Sequence, residues 1–562
     1  MILGITDSHD SSVTVVDDEG RAIFAVNEER LVRQKLYTGW PKKSIEFVLK
    51  NVVSIDDIDI VAIADTGATA FPSRFFPPMN RWLHKSLKSK WRPSNPIVDY
   101  YRKILLERTD HPIIKFHSRI YKALLEKRFG KKVKYVDHHM AHAASAYYTS
   151  GFKKALILTA DGSGDGCSLT INIGKDGEIE RISKTEAKQS AGKFYAKGTL
   201  LAGLKRNDAG KLFGLANYSN EDITHLLDGL IEICEHDTLK ICSSHADYTF
   251  NQSMRILEKV LGDKKPEDIA FAFQNKLEIV LMQWVQNAIE STGIKDVVLA
   301  GGVFGNVKLN KRISELPEIN SLFVFPGMTD CGLSFGAGLY AHHLIYGTKP
   351  YKMEDVYLGP SYDEDYVKAV IKNYALKYEK IDEIKGYAAE IISERMVVVG
   401  WFQDRMEFGP RALGNRSVLA NPSDIKMRDY INKMLKKRDW FMPFAPSIIE
   451  NDADKYLYNN HKADHAARFM TIAFNCREKF VEEAPAAMAI DKTARPQFVN
   501  NANPKYLKLL EEYKKITGSS VILNTSFNIH GDPIVCSPQD AIETYLRGGV
   551  DVLIIGDFIV SK

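Results

Sequence analysis

The sequence of 562 residues predicts an α/β protein of two domains. A unit of strand, Asp, turn, strand, hairpin and strand occurs twice in the first part of the chain, about 150 residues apart, which suggests two homologous lobes facing a cleft. Residues 347–362 are rich in Pro, Gly and Tyr, a composition typical of a linker. We therefore expect a first domain at 1–346 and a second domain at 363–562.

The two copies of the repeat place an Asp at the same point. In "MILGITDSHDSSVTVVDDEGRAIFAVNEER" an apolar strand ends at Asp7, and in "KALILTADGSGDGCSLTINIGKDGEIERISK" the equivalent strand ends at Asp161. This arrangement resembles the actin-like ATPase and sugar-kinase superfamily, in which carboxylates at strand ends lie in the cleft. The alternative is a pair of unrelated β-meanders.

The composition is that of a soluble protein, with 45% hydrophobic and 26% charged residues and a mean hydropathy of −0.22. The chain opens on a strand-like segment without a signal-peptide pattern, and it contains no apolar run long enough to span a bilayer. We therefore expect a cytoplasmic protein without a membrane partner. Six scattered cysteines without a CxxC pair predict buried or free thiols in a reducing compartment: Cys167, Cys234, Cys242, Cys331, Cys476 and Cys536.

The positive charge is concentrated in one segment. Residues 71–132 contain 16 Lys/Arg and 4 Asp/Glu, whereas the whole chain has a net charge of +4. Aromatic residues are interspersed among these cations. One interpretation is a solvated helical insertion; the other is a surface for an anionic partner such as nucleic acid, with aromatic rings available for base stacking.

Three of the 15 histidines fall within five positions of "VDHHMAHAASAYYTSGF". His138 and His142 stand four residues apart, so on a helix both imidazoles project from one face and could bind one metal ion. His139 points elsewhere. The alternative is a set of buried or capping histidines, since HxxxH occurs often by chance.

Two further segments of the first domain carry candidate ligand-binding residues. The strand in "DVVLAGGVFGN" runs into Gly301 and Gly302, which allow a close approach of the backbone to a ligand, and Asn306 precedes a helix. After the second repeat, this is where the actin-like superfamily receives adenosine. Asp330 follows at the start of a helix of small residues, where its carboxylate would be exposed.

Seven motifs in order along the chain point to one family: "HDSS", "DHHMAHAASAYYTSGF", "GGVFGN", "GPRALGNRS", "MPFAPSI", "TARPQFV" and "NTSFNIHGDPIV". Together they resemble the O-carbamoyltransferase family that includes the tobramycin, cephalosporin and nodulation-factor enzymes. Its members join an actin-like, tRNA-threonylcarbamoyl-transfer-like domain to a C-terminal domain with the YrdC-like fold. In one departure, this chain has "FGLANY" at 213–218 where many members have "MGLAPYG".

The resemblance implies a reaction in two steps. The YrdC-like domain would form carbamoyladenylate from ATP and carbamoyl phosphate, and the N-terminal domain would transfer the carbamoyl group to a hydroxyl with AMP as leaving group. A divalent transition metal, with Fe²⁺ expected, would be held by two histidines and two aspartates: His138, His142, Asp161 and Asp330. His9 would polarise the carbamoyl carbonyl, and Asp7 would orient or deprotonate the acceptor hydroxyl.

The resemblance further implies residues that bind the polyanionic substrates, for which Arg and Lys are suited. Lys437 and Arg495 would act on the donor. Contacts to the nucleotide or donor are implied for Lys35, Lys211, Gly301, Gly302, Asn306, Arg411, Asn415, Arg416, Met470, Asn524, Ser526 and Asn528.

The acceptor is not named by any motif. A sugar-like or natural-product alcohol is the default, and the alternative is a hydroxymethylated base in DNA, bound through the segment 71–132. Two rival classes are a metal-dependent hydrolase, for which an HExxH glutamate is missing, and a non-catalytic nucleotide-binding or DNA-associated module. Neither accounts for the motifs of the second domain. A homo-oligomer is compatible with the sequence.

Overall fold

The computed structural model describes residues 1–66, 112–436 and 439–561. The chain forms two compact units. The first unit comprises Met1–Glu28 and Leu36–Met353, and the second comprises Glu29–Lys35 and Glu354–Lys562. The boundary after Met353 falls within the segment predicted as a linker. The short N-terminal segment of the second unit was not predicted.

The first lobe of the first unit is built on a five-stranded sheet. Its elements are β1 (Ile2–Thr6), β2 (Ser12–Val16), β3 (Ala22–Asn27), α1 (Glu28–Val32), α2 (Lys42–Asn51), β4 (Ile60–Ala64), α3 (Pro112–Phe129), β5 (Lys132–Val136) and α4 (His138–Ser150). The strand order is β3-β2-β1-β4-β5. The first three strands are antiparallel neighbours, whereas β4 runs parallel to β1 and to β5. Every residue of β1 and β2 is buried.

The second lobe repeats this sheet. Its elements are β6 (Lys154–Gly164), β7 (Cys167–Lys175), β8 (Glu178–Glu186), α5 (Ala191–Leu201), α6 (Ala209–Leu215), β9 (Glu232–Cys234), β10 (Asp237–Cys242), α7 (Phe250–Leu261), α8 (Pro266–Thr292), β11 (Asp296–Ala300), α9 (Val307–Ser314), β12 (Ser321–Val324) and α10 (Leu333–Tyr346). The order β8-β7-β6-β11-β12 and the strand directions match those of the first lobe. The predicted duplication, and with it the actin-like class of this unit, is confirmed.

Helix α10 packs closely on both helix α4 and the first sheet. A Cβ atom added to Gly336 would lie 1.7 Å from the carbonyl oxygen of Ala141, so only glycine permits this contact. At the start of α10, the hydroxyl of Ser334 hydrogen-bonds the hydroxyls of Ser12 (2.7 Å) and Thr14 (2.9 Å). These contacts fix the position of the turn that precedes α10.

The second unit is a mixed α/β domain around an eight-stranded sheet. From the linker onward its elements are α11 (Glu364–Asn373), β13 (Lys377–Lys380), α12 (Ile384–Ser393), β14 (Val398–Phe402), β15 (Arg416–Ala420), α13 (Lys426–Ile431), β16 (Ala445–Ile449), α14 (Ala453–Tyr456), α15 (Asp464–Ala467), β17 (Phe474–Asn475), α16 (Glu478–Glu483), β18 (Thr493–Ala494), β19 (Gln497–Val499), α17 (Pro504–Thr517), β20 (Val521–Ser526), α18 (Pro538–Leu546), β21 (Val552–Ile555) and β22 (Phe558–Ser561). The strand order is β13-β22-β21-β14-β15-β20-β16-β19. Alternating residues of β14 pack into two cores, one on each face of the sheet: Val398 and Phe402 on one, Val399 and Trp401 on the other.

The structure bears on two expectations drawn from the composition, one about the cysteines and one about membrane-spanning segments. The prediction that all six cysteines are thiols is wrong for one pair, because the antiparallel strands β9 and β10 bring Cys234 and Cys242 to a Cα–Cα distance of 5.1 Å, where they form a disulfide. The other four cysteines are buried free thiols, as predicted. Among the helices that the structure describes, none combines the length and the apolar character needed to cross a membrane.

Candidate functional site

A cluster of two imidazoles and two carboxylates lies at the centre of the first unit. His138, His142, Asp161 and Asp330 each contribute one atom to a group whose members all lie within 4.8 Å of one another. The Nε2 atom of His138 lies 3.2 Å from an oxygen of Asp161 and 3.8 Å from one of Asp330. The Nε2 atom of His142 lies 3.5 and 3.7 Å from the same two oxygens. The predicted set of four therefore meets at one point.

The duplicated fold explains this meeting. His138 and His142 stand one turn apart at the start of helix α4, which is capped by the Asp137 carboxylate accepting the amide of Met140. Asp161 lies in β6, the strand equivalent to β1, beyond the point where regular pairing with β7 is interrupted. Asp330 occupies the turn before α10, the helix whose position is fixed against α4.

A buried carboxylate orients the ring of His138. Its Nδ1 atom lies 2.7 Å from a carboxylate oxygen of Asp65, a residue that the sequence analysis missed. The other oxygen of Asp65 accepts the hydroxyl of Ser8 at 2.9 Å. Asp65 is fully buried and follows β4 with a φ of 70°, in the left-handed region. Since a metal-binding imidazole commonly donates its other nitrogen to a carboxylate, Asp65 extends the cluster outward.

The charges of the cluster balance one another. Burial would lower the pKa of His138, but the Asp65 and Asp161 carboxylates hold it well above its ordinary value. Burial would raise the pKa of Asp161, but the hydrogen bond from His138 and the charges of His138 and His142 hold it well below its ordinary value. Burial and the neighbouring Asp161 charge together raise the pKa of Asp330 to about 6.

The donor set fits a first-row divalent metal ion. Both ring nitrogens of His142 are buried, and neither has a hydrogen-bond partner among the residues described, although Nε2 faces the two carboxylates. Two nitrogens and two oxygens from three separate elements suit such an ion. The His138 ring packs directly on the backbone, since a Cβ atom on Gly164 would lie 2.1 Å from it. The HxxxH pattern is therefore a candidate metal centre.

His139, the third histidine of the motif, serves the core. Its Nδ1 atom lies 2.7 Å from the hydroxyl of Thr159. Burial, with the charges of His138 and His142, lowers the pKa of His139 to about 3, so its ring is neutral at physiological pH. As predicted, it points away from the cluster.

The two residues predicted to act on the carbamoyl group and the acceptor lie in the turn after β1. His9 is partly exposed, and its Nδ1 atom lies 3.5 Å from the carboxylate of Asp10, which raises the pKa of His9 to about 9. A cationic imidazole is suited to stabilising an oxyanion. Asp7 is buried and accepts the hydroxyl of Tyr121 at 3.0 Å. The roles assigned to His9 and Asp7 stay predictions.

The GGVFGN motif lies directly beside the cluster. Gly301 has a φ of 104°, and Cβ atoms on Gly301 and Gly302 would lie 2.2 Å from the Ala160 carbonyl oxygen and 2.9 Å from an Asp161 oxygen, respectively. Asn306 caps helix α9 by accepting the amide of Leu309. This loop therefore supports Asp161, and its predicted contact with adenosine stays a prediction. The predicted contact of Lys211 with the nucleotide or donor also stays a prediction. The ammonium of Lys211 lies 3.2 Å from the carboxylate of Asp208.

In the second unit, the loop "EFGPRALGNR" folds around a buried carboxylate. One oxygen of Glu407 accepts the amides of Leu413 (2.7 Å), Asn415 (2.7 Å) and Arg416 (3.0 Å). These bonds hold the backbone on the C-terminal side of Arg411. The carboxylate thus shapes the loop that carries the predicted phosphate-binding residues.

The two arginines of this loop have different surroundings. Arg416 is fully buried, donates to the carbonyl oxygens of Asn415 (3.0 Å) and Asp404 (3.1 Å), and lies 3.7 Å above the ring of Phe402. Its donors are thus used within the protein. The Nε atom of Arg411 is buried without a hydrogen-bond partner in the described part of the chain, and burial lowers the pKa of Arg411 to about 10. Arg411 is therefore the better placed of the two to bind an anion.

The motif "LNTSFN" contacts a buried lysine that the sequence analysis missed. The ammonium of Lys436 donates to the side chain of Asn528 at 2.9 Å and to the hydroxyl of Ser526 at 3.2 Å. Asn524 is buried in the same strand, β20. The neighbouring Lys437, which was predicted, lies outside the described residues. Only the tertiary contacts distinguish Lys436 from the other cations of the run "KMLKKR".

Three more predicted residues occupy the second unit. Met470 is buried and has a φ of 56°, a conformation that non-glycine residues rarely adopt. Arg495 is partly buried and lies between β18 and β19. Lys35 belongs to the N-terminal segment that joins this unit. Their contacts with the donor or nucleotide stay predictions.

The fold and the cluster together define a class of protein. The first unit has two lobes of duplicated, actin-like topology, and its cluster is suited to a divalent metal ion. The second α/β unit carries an arginine, Arg411, whose buried Nε atom has no hydrogen-bond partner among the described residues. The chain is thus a two-unit α/β protein with an actin-like first unit and a candidate metal centre.

Comparison with known proteins specifies the family. The model described as Carbamoyltransferase N-terminus matches residues 1–339, and that described as Carbamoyltransferase C-terminus matches residues 389–562. An uncharacterised protein of Methanocaldococcus jannaschii is 33% identical over 99% of this chain and 98% of its own length. Nodulation protein NolNO of Sinorhizobium fredii is 32% identical over 99% of this chain and 79% of its own. Nodulation protein NolO of Bradyrhizobium diazoefficiens is 32% identical over 76% and 79%, respectively.

The chain therefore belongs to the carbamoyltransferase family, as its motifs predicted, and is a transferase enzyme. The N-terminal model covers most of the first unit, and the C-terminal model covers most of the second. The rival class of a non-catalytic module is excluded by this membership.

The contact between Asp65 and His138 generates a prediction. Replacing Asp65 by Asn keeps the shape of the side chain but removes the charge that orients the imidazole, so the affinity for Co²⁺ should fall roughly 10- to 100-fold. A titration of metal-free protein followed by visible absorbance measures this affinity. The control is Asp137→Asn, which alters a carboxylate at the same helix without touching the imidazole and should bind Co²⁺ normally. Unchanged affinity in Asp65→Asn would show that Asp65 does not orient the ligand.

Proposed function

We propose that this carbamoyltransferase is an ATP-dependent O-carbamoyltransferase that works through carbamoyladenylate. The observation that carries the proposal is the cluster that two buried histidines of helix α4 form with Asp161 of β6 and Asp330 of the turn before α10 in an actin-like fold. Such a site suits the phosphate of an adenylate, because a divalent ion held there, with Fe²⁺ as the proposed ion, would neutralise the negative charge of that phosphate and of the departing AMP. We place the enzyme in the cytoplasm, where ATP and carbamoyl phosphate are made.

The first step is assigned to the second unit. Carbamoyl phosphate and water yield carbamate and inorganic phosphate, and a carbamate oxygen then attacks the α-phosphorus of ATP. The bond between the α-phosphorus and the bridging oxygen breaks, and pyrophosphate leaves. Arg411, Lys437 and Arg495 supply the positive charge that this collection of phosphates requires. Arg411 is the best supported of these, because its buried Nε atom has no hydrogen-bond partner among the described residues.

The second step is assigned to the first unit. The acceptor hydroxyl oxygen attacks the carbamoyl carbon, the carbon–oxygen bond to AMP breaks, and AMP leaves as the anion. The hydroxyl proton passes to the carboxylate of Asp7. His9, whose pKa is raised to about 9 by Asp10, is protonated at neutral pH and stabilises the developing oxyanion.

The acceptor proposed by default is a sugar-like or natural-product alcohol. The alternative, a hydroxymethylated base in DNA, is favoured by the excess of Lys/Arg and the aromatic residues of segment 71–132. Of this segment, residues 71–111 lie outside the described residues. No membrane partner is proposed, and a homo-oligomer is compatible with the fold. A metal-dependent hydrolase would use the same cluster but would leave the cationic loop of the second unit without a purpose.

The first step can be tested by pyrophosphate exchange. We expect carbamoyl-phosphate-dependent exchange of pyrophosphate into ATP, and we expect Arg411→Ala to reduce it about 10- to 100-fold because one charge-assisted contact is lost. Arg495→Ala should abolish it. Arg428→Ala, which removes an arginine paired with Asp429 outside the loop, is the matched control and should exchange normally. Exchange at wild-type rate in Arg411→Ala and Arg495→Ala would refute this assignment.

The second step can be tested at the metal centre. His142→Ala removes one ligand and should abolish carbamoyl transfer from supplied carbamoyladenylate, while pyrophosphate exchange continues. Elemental analysis should show less bound transition metal in this variant than in the wild type. His139→Ala is the control for loss of a buried imidazole outside the cluster and should retain the metal. Full transfer by wild-type protein stripped of metal would contradict the proposal.

The acceptor can be tested by competition among hydroxyl classes. We expect carbamoyl transfer to a sugar-like alcohol when the protein is offered ATP and carbamoyl phosphate. Hydroxymethyl-containing DNA, plain DNA and free nucleotides serve as parallel substrates, and mass spectrometry identifies the carbamoylated product. A carbamoylated base together with DNA binding that weakens steeply with salt would replace the default by the nucleic-acid alternative.

A further inference from the structure

A short segment from the N-terminal part of the chain, Glu29–Lys35, is built into the second unit. The chain on either side of it belongs to the first unit. The segment carries backbone strain at its end, where Arg33 has a φ of 57° and Leu36, the residue after the segment, has a φ of 55°. Strained residues persist only where surrounding contacts determine their conformation. The segment is therefore held in place by what it touches.

Arg33 anchors the segment through its whole guanidinium group. Two of its nitrogens donate to the carbonyl oxygens of Ile534 (2.7 Å) and Pro533 (3.0 Å), and Nε lies 3.2 Å from the carboxylate of Asp540. Asp540 is itself fixed, since it accepts the amide of Ser537 at the start of helix α18. An arginine bound to two carbonyls and a fixed carboxylate has one orientation, which defines where the preceding residues lie.

The preceding residues contact the loop of the second unit on both sides of Arg411. The buried Arg30 donates to the carbonyl oxygen of Gly409 at 2.9 Å, and Leu31 packs against the hydrophobic cluster that contains Ala412. Gly409 has a φ of 103°, a conformation that favours glycine, and the hydrogen bond from Arg30 orients its carbonyl group. The segment thus contacts the loop before and after Arg411, whose Nε atom has no hydrogen-bond partner among the described residues.

We propose that Arg30 and Leu31 are positioning residues that hold Arg411 in place to bind a phosphate group of the nucleotide or donor. The inference rests on the proposed use of Arg411 in the first step and goes beyond it in one respect. The donor-activating site is not contained in the C-terminal part of the sequence, because seven residues from near the N-terminus complete it. Deleting or altering them therefore acts on the chemistry of the second unit.

The test measures phosphate binding by the full chain. Inorganic pyrophosphate, a product of the proposed first step, is titrated calorimetrically into wild-type protein and into Arg30→Ala, Arg411→Ala and the double variant. We expect each single variant to bind about tenfold more weakly and the double variant to bind no more weakly than Arg411→Ala. Arg30→Lys, which retains one donor for the Gly409 carbonyl, should recover part of the affinity. Arg21→Ala, an exposed arginine of the β2–β3 hairpin, is the matched control and should bind as the wild type does.

Each outcome decides the inference. Wild-type affinity for pyrophosphate in Arg30→Ala would overturn it. Losses of affinity that multiply in the double variant would overturn it as well, because they would show that Arg30 acts independently of Arg411, as a general loss of stability would. Wild-type affinity in Arg411→Ala would show that the loop does not bind phosphate and would overturn it as well. If Arg30→Ala does not fold, Leu31→Ala takes its place in the same cycle. Pyrophosphate exchange is measured separately, so absent exchange with intact binding would refute the proposed first step and leave the positioning role supported.

Discussion

Two buried histidines and two partly buried aspartates meet in the first unit, and the burial of the imidazoles makes their pairing with the carboxylates obligatory. Moving one ion into a protein interior costs several kcal/mol even after relaxation, so an imidazole or carboxylate without a partner would not stay charged there. His138 satisfies this constraint through Asp65 and Asp161. The ring nitrogens of His142 have no hydrogen-bond partner among the described residues, and Nε2 faces the two carboxylates. A divalent ion would complete the arrangement, which makes the cluster a candidate metal centre.

The duplicated topology places acidic residues at the ends of corresponding strands. Asp7 follows β1, Asp65 follows β4 and Asp161 lies in β6, so three carboxylates stand at the ends of central strands of the two sheets. The histidines enter from the start of helix α4, and the close contact between Gly336 and Ala141 sets that helix against α10. The small residues at the contact between α4 and α10 and the aspartates at the strand ends thus together determine where the cluster forms.

Much of this could be read from the sequence, because its signals are local. The strand–Asp repeat predicted the two lobes, and HxxxH placed two imidazoles on one helix face. The segment "IVAIAD" before Asp65 has the same pattern of an apolar strand ending in Asp, so a signal for this residue existed and was overlooked. The pairing of Cys234 with Cys242 and the contact of Arg30 with Gly409 left no such signal. Each depends on a tertiary contact that nearby residues do not determine.

Positive φ values occur in this protein both at ordinary turns and at residues that make long-range contacts. Lys492 and Asp176 adopt positive φ values at turns between elements, where such a conformation only reverses the chain. Asp65 is different, because it is fully buried and holds both Ser8 and His138 with its carboxylate. A left-handed conformation costs about 1–3 kcal/mol, so the contacts made there must exceed that cost. Strain at the buried Asp65, which orients a histidine of the cluster, therefore indicates that this position is needed for the geometry of the cluster. The same argument applies to Arg33, whose three guanidinium nitrogens hold its segment in place.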